Sequence, residues 1–191
     1  MESSLRLLIN WLPRKLKTGS KRSPVKIMVK LVVLGAGGVG KTNIIRRYIH
    51  NEFQQEHEPT IEDVYEKHFS SKKRKESILF YIYDTAGSDQ FPAMKRLAIS
   101  KGQLFVVVYA VDDRQSFEEA RKICTEIFDL KGEVKSIVMV GNKCDVPSSQ
   151  QTVSTEEASL AARQMNCKFM ECSAKLGINM DKIFRESVTS V

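Results

Sequence analysis

The sequence predicts an α/β fold: a sheet of about six strands, mostly parallel with one antiparallel edge strand, covered by helices on both faces. Three observations carry that expectation. Residues 27–34, 104–111 and 137–141 are apolar, β-branched runs of the kind found in strands buried on both faces. Segments with helical apolar spacing fall between the strand candidates, and such alternation calls for parallel pairing through crossover helices. One pair of candidates, residues 63–69 and 78–83, is joined instead by a polar tip at 70–77. A hairpin of that sort contributes one antiparallel strand at an edge.

In chain order, the strand at 27–34 runs into Gly35, and Lys41–His50 reads as a helix because Ile44, Ile45, Tyr48 and Ile49 share a face. The hairpin follows, then the strand at 104–111. Ser116 with Glu119, and Ser154 with Glu157, have the S-x-x-E form of a capping box. Strands at 137–141 and Lys168–Glu171 complete the sheet, and a last helix begins near Asn179. At 191 residues, 42% hydrophobic and 28% charged, the chain can bury one good core but would cramp a second domain. The expected division is a basic arm over residues 1–25 and one domain over 26–191. Residues 1–26 hold seven basic side chains against one acidic, so most of the net charge of +7 belongs to the arm. The domain itself is nearly neutral, and nucleic-acid binding is not expected of it. Cys124, Cys144, Cys167 and Cys172 have neither metal-ligand nor disulfide-framework spacing, as expected of reduced cytoplasmic thiols. The longest apolar runs are too short to cross a bilayer.

Gly35-Ala36-Gly37-Gly38-Val39-Gly40-Lys41-Thr42 matches G-x-x-x-x-G-K-[ST], placed after a buried strand and before a helix. Glycines let successive backbone N–H groups turn toward phosphate oxygens at the positive end of the helix. Lys41 then reaches the outer phosphates and the Thr42 hydroxyl ligates magnesium. This pattern alone does not separate ATP from GTP, or a kinase from a hydrolase. Asp84-Thr85-Ala86-Gly87 follows the strand at 78–83, where Asp84 is placed to hold a magnesium shell through water.

Asn142-Lys143-Cys144-Asp145 follows the strand at 137–141. The Asp145 carboxylate can accept from the N1–H and 2-amino group of guanine. Adenine offers no such pair of donors and would leave the acid unpaired, at a cost that makes the site selective. Glu171-Cys172-Ser173-Ala174-Lys175 follows the last strand, and Ser173, Ala174 and Lys175 offer backbone N–H groups to the guanine O6.

With these motifs in order, the sequence resembles the Ras family of small GTPases from residue 27 to the C-terminus. The stretch Gly87-Ser88-Asp89-Gln90-Phe91-Pro92-Ala93-Met94, with Ile99-Ser100-Lys101-Gly102, is most similar to the Di-Ras branch, and Rap-like proteins are second. The resemblance implies a P-loop NTPase fold of the Ras-like G-domain type. It implies binding of GTP and GDP with Mg2+, and a monomer acting with an exchange factor, an activating protein and effectors bearing Ras-association-type domains. It places Phe53 edge-on to the guanine. It gives Thr60 to magnesium through its hydroxyl and to the γ-phosphate through its N–H, and it gives the Gly87 N–H the same phosphate contact. Lys41, Thr60, Gly87 and Ser88 are then the candidate catalytic positions. His57, Glu58, Pro59, Thr60, Ile61, Glu62, Asp63, Val64 and Tyr65 correspond to the effector segment, in which Glu62 and Asp63 suit a basic partner strand added at the sheet edge.

Two positions depart from the family pattern. Ser88 stands where relatives carry the glutamine that orients the attacking water, so slow hydrolysis is expected; Gln90 substitutes only if the loop shifts register. His57 stands where relatives carry tyrosine. Its imidazole either adds charge near the γ-phosphate or is simply an exposed loop residue. No switch arginine is placed as a built-in finger. The alternative function is a GTP-loaded scaffold that engages effectors without cycling.

The two ends leave more open. Leu5, Leu8, Ile9 and Leu12 share a helical face beside Trp11, followed by basic residues. This is either an interfacial helix for an anionic membrane surface, such as the cytoplasmic face of the plasma membrane, or an unstructured extension, or a presequence. Val188-Thr189-Ser190-Val191 holds no cysteine for prenylation, so the chain is either truncated or anchored differently. Thr189-Ser190-Val191 also resembles a C-terminal PDZ ligand.

Overall fold

The computed structural model describes residues 25–55, 60, 62–71, 76–87, 92–132, 134 and 136–188. The arm at 1–24, the basic hairpin tip at 72–75 and Thr189-Ser190-Val191 lie outside the described residues. Among the described residues there are six strands: β1 (Val25–Gly35), β2 (Glu62–Ser71), β3 (Glu76–Thr85), β4 (Leu104–Ala110), β5 (Ile137–Asn142) and β6 (Lys168–Glu171). Five helices accompany them in the described residues: α1 (Lys41–His50), α2 (Pro92–Lys101), α3 (Arg114–Lys131), α4 (Thr155–Gln164) and α5 (Met180–Val188), with a 3-10 turn at Ser148–Gln150. The sheet order is β2-β3-β1-β4-β5-β6. Among the described strands only the β2–β3 pair is antiparallel, with Glu62 opposite Thr85 and Asp63 opposite Asp84.

Pleating assigns each strand residue to a face. On β1, Leu31 and Val33 join Ile44 and Ile45 of α1 and Ile183 and Phe184 of α5 in one core. Val32 and Leu34 point the other way, toward Ile99 of α2, Phe117 and Ile123 of α3 and Ala158 of α4. Each fully buried side chain of this kind stabilises the fold by about 1.5–3 kcal/mol. The sheet is thus covered on both faces, as expected for an α/β P-loop fold. Tyr48 of α1 stacks on Phe184 of α5 with centroids 3.8 Å apart, which ties the helices on the first face to each other.

Two local expectations change. The hairpin strands run further than 63–69 and 78–83, because pairing continues to Ser71 opposite Glu76. The capping box at Ser116 does not form. Helix α3 starts earlier, with Asp113 as N-cap accepting from the Ser116 N–H at 3.1 Å. Ser116 is buried, and its hydroxyl serves the Ala110 N–H at 3.0 Å. Ser154 does cap α4 by accepting from the Glu157 N–H, but the Glu157 carboxylate pairs with Arg114 and does not return to the cap.

Parallel pairing brings the carboxyl ends of β1, β3, β4, β5 and β6 to one edge. The chain reverses its order about β1, and ligand crevices form at such switch points.

Candidate nucleotide and metal site

A cleft of about 790 Å³ opens at that edge. Its phosphate end is the loop between β1 and α1. Gly37, Gly38, Gly40, Lys41 and Thr42 line it. Gly40 has φ 93, a left-handed value, and a Cβ there would sit 2.4 Å from Asn142 Nδ2, so glycine is required twice over. The buried Lys41 ammonium donates to the Gly35 carbonyl at 2.9 Å and the Ala36 carbonyl at 2.8 Å, which folds the lysine along the loop's inner rim. Gly35, Ala36 and Val39 do not line the cleft; their carbonyls hold Lys41 and Asn142.

Gly87, just beyond β3, closes on this loop: a Cβ on it would fall 2.8 Å from the Gly37 nitrogen. Beside it lies an unusual acid. Asp84 is fully buried, and neither carboxylate oxygen has a hydrogen-bond partner among the described residues. Burial pushes its carboxyl up to about 6. The Thr42 side chain, which stands close without meeting hydrogen-bond geometry, and the Lys41 charge partly offset that rise. A buried acid stranded in this way is costly unless a cation completes it. The Thr42 and Thr60 hydroxyls meet at 2.9 Å in the same corner, so hard oxygen donors from β3, α1 and the segment before β2 converge. These donors fit magnesium, which prefers oxygen and takes few protein ligands beside substrate phosphates. Among the described residues there is no group of three His, Cys, Asp or Glu able to hold a metal unaided.

The base end is built from the loops after β5 and β6. Asn142, Lys143, Asp145, Ala174 and Lys175 line the cleft, with Phe53 at its mouth. Asn142 is buried and ties the phosphate loop to the loop after β6. Its Nδ2 donates to the Val39 carbonyl at 2.8 Å, and its Oδ1 accepts from the Ala174 N–H at 3.1 Å. That bond occupies one of the amides expected for the guanine O6. Ser173 is buried behind the lining, where its hydroxyl accepts from the Leu176 N–H at 3.0 Å. Lys143 adopts a left-handed φ of 66, uncommon for a residue with a side chain, and its ammonium lies 3.3 Å from Asp112.

Several features escape the sequence. Asn43 clamps Gln54 both ways, accepting from its N–H and donating to its carbonyl, each at 2.9 Å. Arg46 donates to the Gln54 side-chain oxygen. Both residues sit on the polar side of α1 and read as solvated. Glu62 and Asp63, expected only as an outward partner surface, also line the cleft. Val64 is exposed on β2, whereas Tyr65 is half-buried against the core beneath α1. His57, Glu58, Pro59, Ile61 and Ser88 lie outside the described residues.

Fold and cleft together define a P-loop nucleotide-binding protein, with its phosphate loop after β1 and its base loops after β5 and β6. The sequence profile of the Ras family matches residues 30–191. GTP-binding protein Di-Ras2 from Pongo abelii is 45% identical over 159 residues, covering 82% of this chain and 78% of that protein. GTP-binding protein Di-Ras1 from Homo sapiens is 44% identical over 162 residues, 84% of this chain and 80% of that one. Ras-like protein 2 from Drosophila melanogaster is 41% identical over 165 residues, 85% and 83%. The chain belongs to the Ras family: it is a small GTPase, a GTP-binding signalling protein and GTP hydrolase, with Di-Ras proteins among its near relatives. No helix among the described residues is long and apolar enough to cross a membrane.

Proposed function

We propose that this chain is a magnesium-dependent GTP/GDP switch with a slow off-step, which binds effectors through the segment at residues 57–65 in its GTP state. The buried, unpartnered Asp84 beside the Thr42–Thr60 hydroxyl pair carries the reading, because it leaves a charge that a nucleotide-bound cation completes. Thr42 and Thr60 would hold magnesium directly, and Asp84 through water. Magnesium supplies neutralisation of the phosphate charge.

The chain's own groups do the rest. Backbone N–H groups of the phosphate loop and the Lys41 ammonium fix the outer phosphates, and Asp145 reads the guanine edge. Thr60 and the Gly87 N–H sense the γ-phosphate, so both segments are ordered by GTP and released by GDP. Phosphoryl transfer depends on positioning and charge stabilisation, a description itself drawn largely from Ras-type enzymes. Serine at 88 is too short to orient water and meet the γ-phosphate region together, and an activating protein would supply what is missing. The +6 carried by residues 1–26 supports an anionic membrane surface as the place of action.

Single-turnover GTP hydrolysis tests the slow off-step: Ser88→Gln should accelerate it by about tenfold or more. Equal rates in the two proteins, or a native rate matching a glutamine-bearing relative, would refute it. Ser88 also favours a second reading, a GTP-loaded scaffold that does not cycle. Bound GTP on the purified protein, unhydrolysed even with an activating protein, would decide for the scaffold.

A further inference from the structure

One side chain behind the cleft joins both walls of the base slot. Arg47 of α1 donates from Nε to the Ala174 carbonyl at 3.0 Å and from Nη2 to the Lys175 carbonyl at 2.6 Å. From Nη1 it donates to the Asn51 carbonyl at 2.9 Å and the Asn51 side-chain oxygen at 3.4 Å. Its own carbonyl accepts from the Asn51 N–H at 3.1 Å. Asn51 has a left-handed φ of 60 and turns the chain out of α1. Phe53 leaves two residues later, and Gln54 is then stitched back to Asn43. The wall that carries Phe53 is therefore fixed on each side of that residue, once by Arg47 and once by Asn43.

The opposite wall, Ala174 and Lys175, hangs on the same guanidinium. Every acceptor is an amide-type oxygen in a fixed array, which suits a rigid planar fork with five donors. A lysine ammonium keeps the charge but lacks the span to reach both walls. Arg47 does not itself line the cleft, so it acts through the residues it holds.

We propose that Arg47 is a positioning residue that keeps the two walls of the guanine slot at fixed spacing and so sets how slowly the nucleotide leaves. The inference rests on the reading that this end of the cleft holds the base. The slot is common to GDP and GTP, so loss of the fork speeds release of both by a similar factor. The phosphate end, where chemistry occurs, keeps its own loop and lysine.

The test is displacement of ribose-tagged fluorescent GDP by excess GDP from the full chain. It compares the native protein with Arg47→Met, Arg47→Gln and Arg47→Lys, with Asp145→Asn alongside. Arg47→Met should release GDP roughly tenfold faster or more, since two carbonyl pairs on separate walls are lost. Arg47→Gln should be intermediate, and Arg47→Lys should recover little. Single-turnover GTP hydrolysis should change far less than GDP release in all three, and Asp145→Asn should shift preference from guanine toward xanthine. If Arg47→Met is too unstable to purify with GDP, the Arg47→Gln rate decides alone. Release within twofold of native from Met or Gln variants, while Asp145→Asn has shifted base preference, overturns the role of Arg47. Full recovery by lysine overturns the fork, and a parallel change in hydrolysis overturns an action confined to the base end. Unchanged base preference in Asp145→Asn brings down the reading on which the inference rests.

Discussion

Replacing Asn142 by alanine cuts the tie between the phosphate loop and the base loop. The amide spans 2.8 Å to the Val39 carbonyl and 3.1 Å to the Ala174 N–H, and all three residues are buried. Alanine strands one carbonyl and one N–H, each at about 1–3 kcal/mol when left unpaired out of water. Water entering from the adjoining cleft relieves part of this, so the expected loss is about 2–4 kcal/mol. Urea unfolding at saturating GDP measures the stability, and release of fluorescent GDP measures the site. Both should suffer, because one side chain holds both loops. Asn142→Asp is an informative companion: it retains the acceptor for Ala174 but sets a carboxylate against the Val39 carbonyl, so it should be no better than alanine. A loss under about 0.5 kcal/mol for Asn142→Ala, with GDP release unchanged, would falsify the tie.

Two further outcomes are expected. Tyr109 is fully buried and its hydroxyl has no partner among the described residues, so Tyr109→Phe should leave stability unchanged or raise it by up to about 1 kcal/mol in denaturant titration, and a loss above that would reveal a partner for the hydroxyl. If magnesium binds as proposed, removing it with a chelator should speed GDP release at least about tenfold, because the phosphate charge would lose its neutralisation. The acceleration should be much smaller in Asp84→Asn, and an equal acceleration in both proteins would take Asp84 out of the metal's shell.

Sequence reading reaches the fold where burial is extreme. Strands β4 and β5 are buried along their whole length, and their apolar runs show it without structure. The motifs at Gly35 to Thr42, Asp84 to Gly87 and Asn142 to Asp145 are legible because their spacing is local and follows recognisable strands. The α3 cap is misplaced because Asp113 and Ser116 are both short polar residues one turn apart, and only burial tells them apart. Asn43, Arg46 and Arg47 are missed for a different reason. Polar residues on a helix normally face solvent, and their partners at Gln54, Asn51, Ala174 and Lys175 depend on how distant loops return to α1. Phe53 is legible only through resemblance to the family, since an isolated aromatic after a helix carries no local signature of a base.

The hairpin register has a mechanical meaning. Glu62 pairs with Thr85 and Asp63 with Asp84, so the segment ending at Thr60 and the turn at Gly87 grow from the same end of one antiparallel ribbon. One ribbon thus carries both, and each is held against the phosphate loop or the helix that follows it, Thr60 at Thr42 and Gly87 at Gly37. A load applied along the outer edge of β2 reaches Asp84 across a single pair of backbone strands, with no intervening side chain. A partner strand added at that edge would therefore stand one strand away from the proposed metal corner.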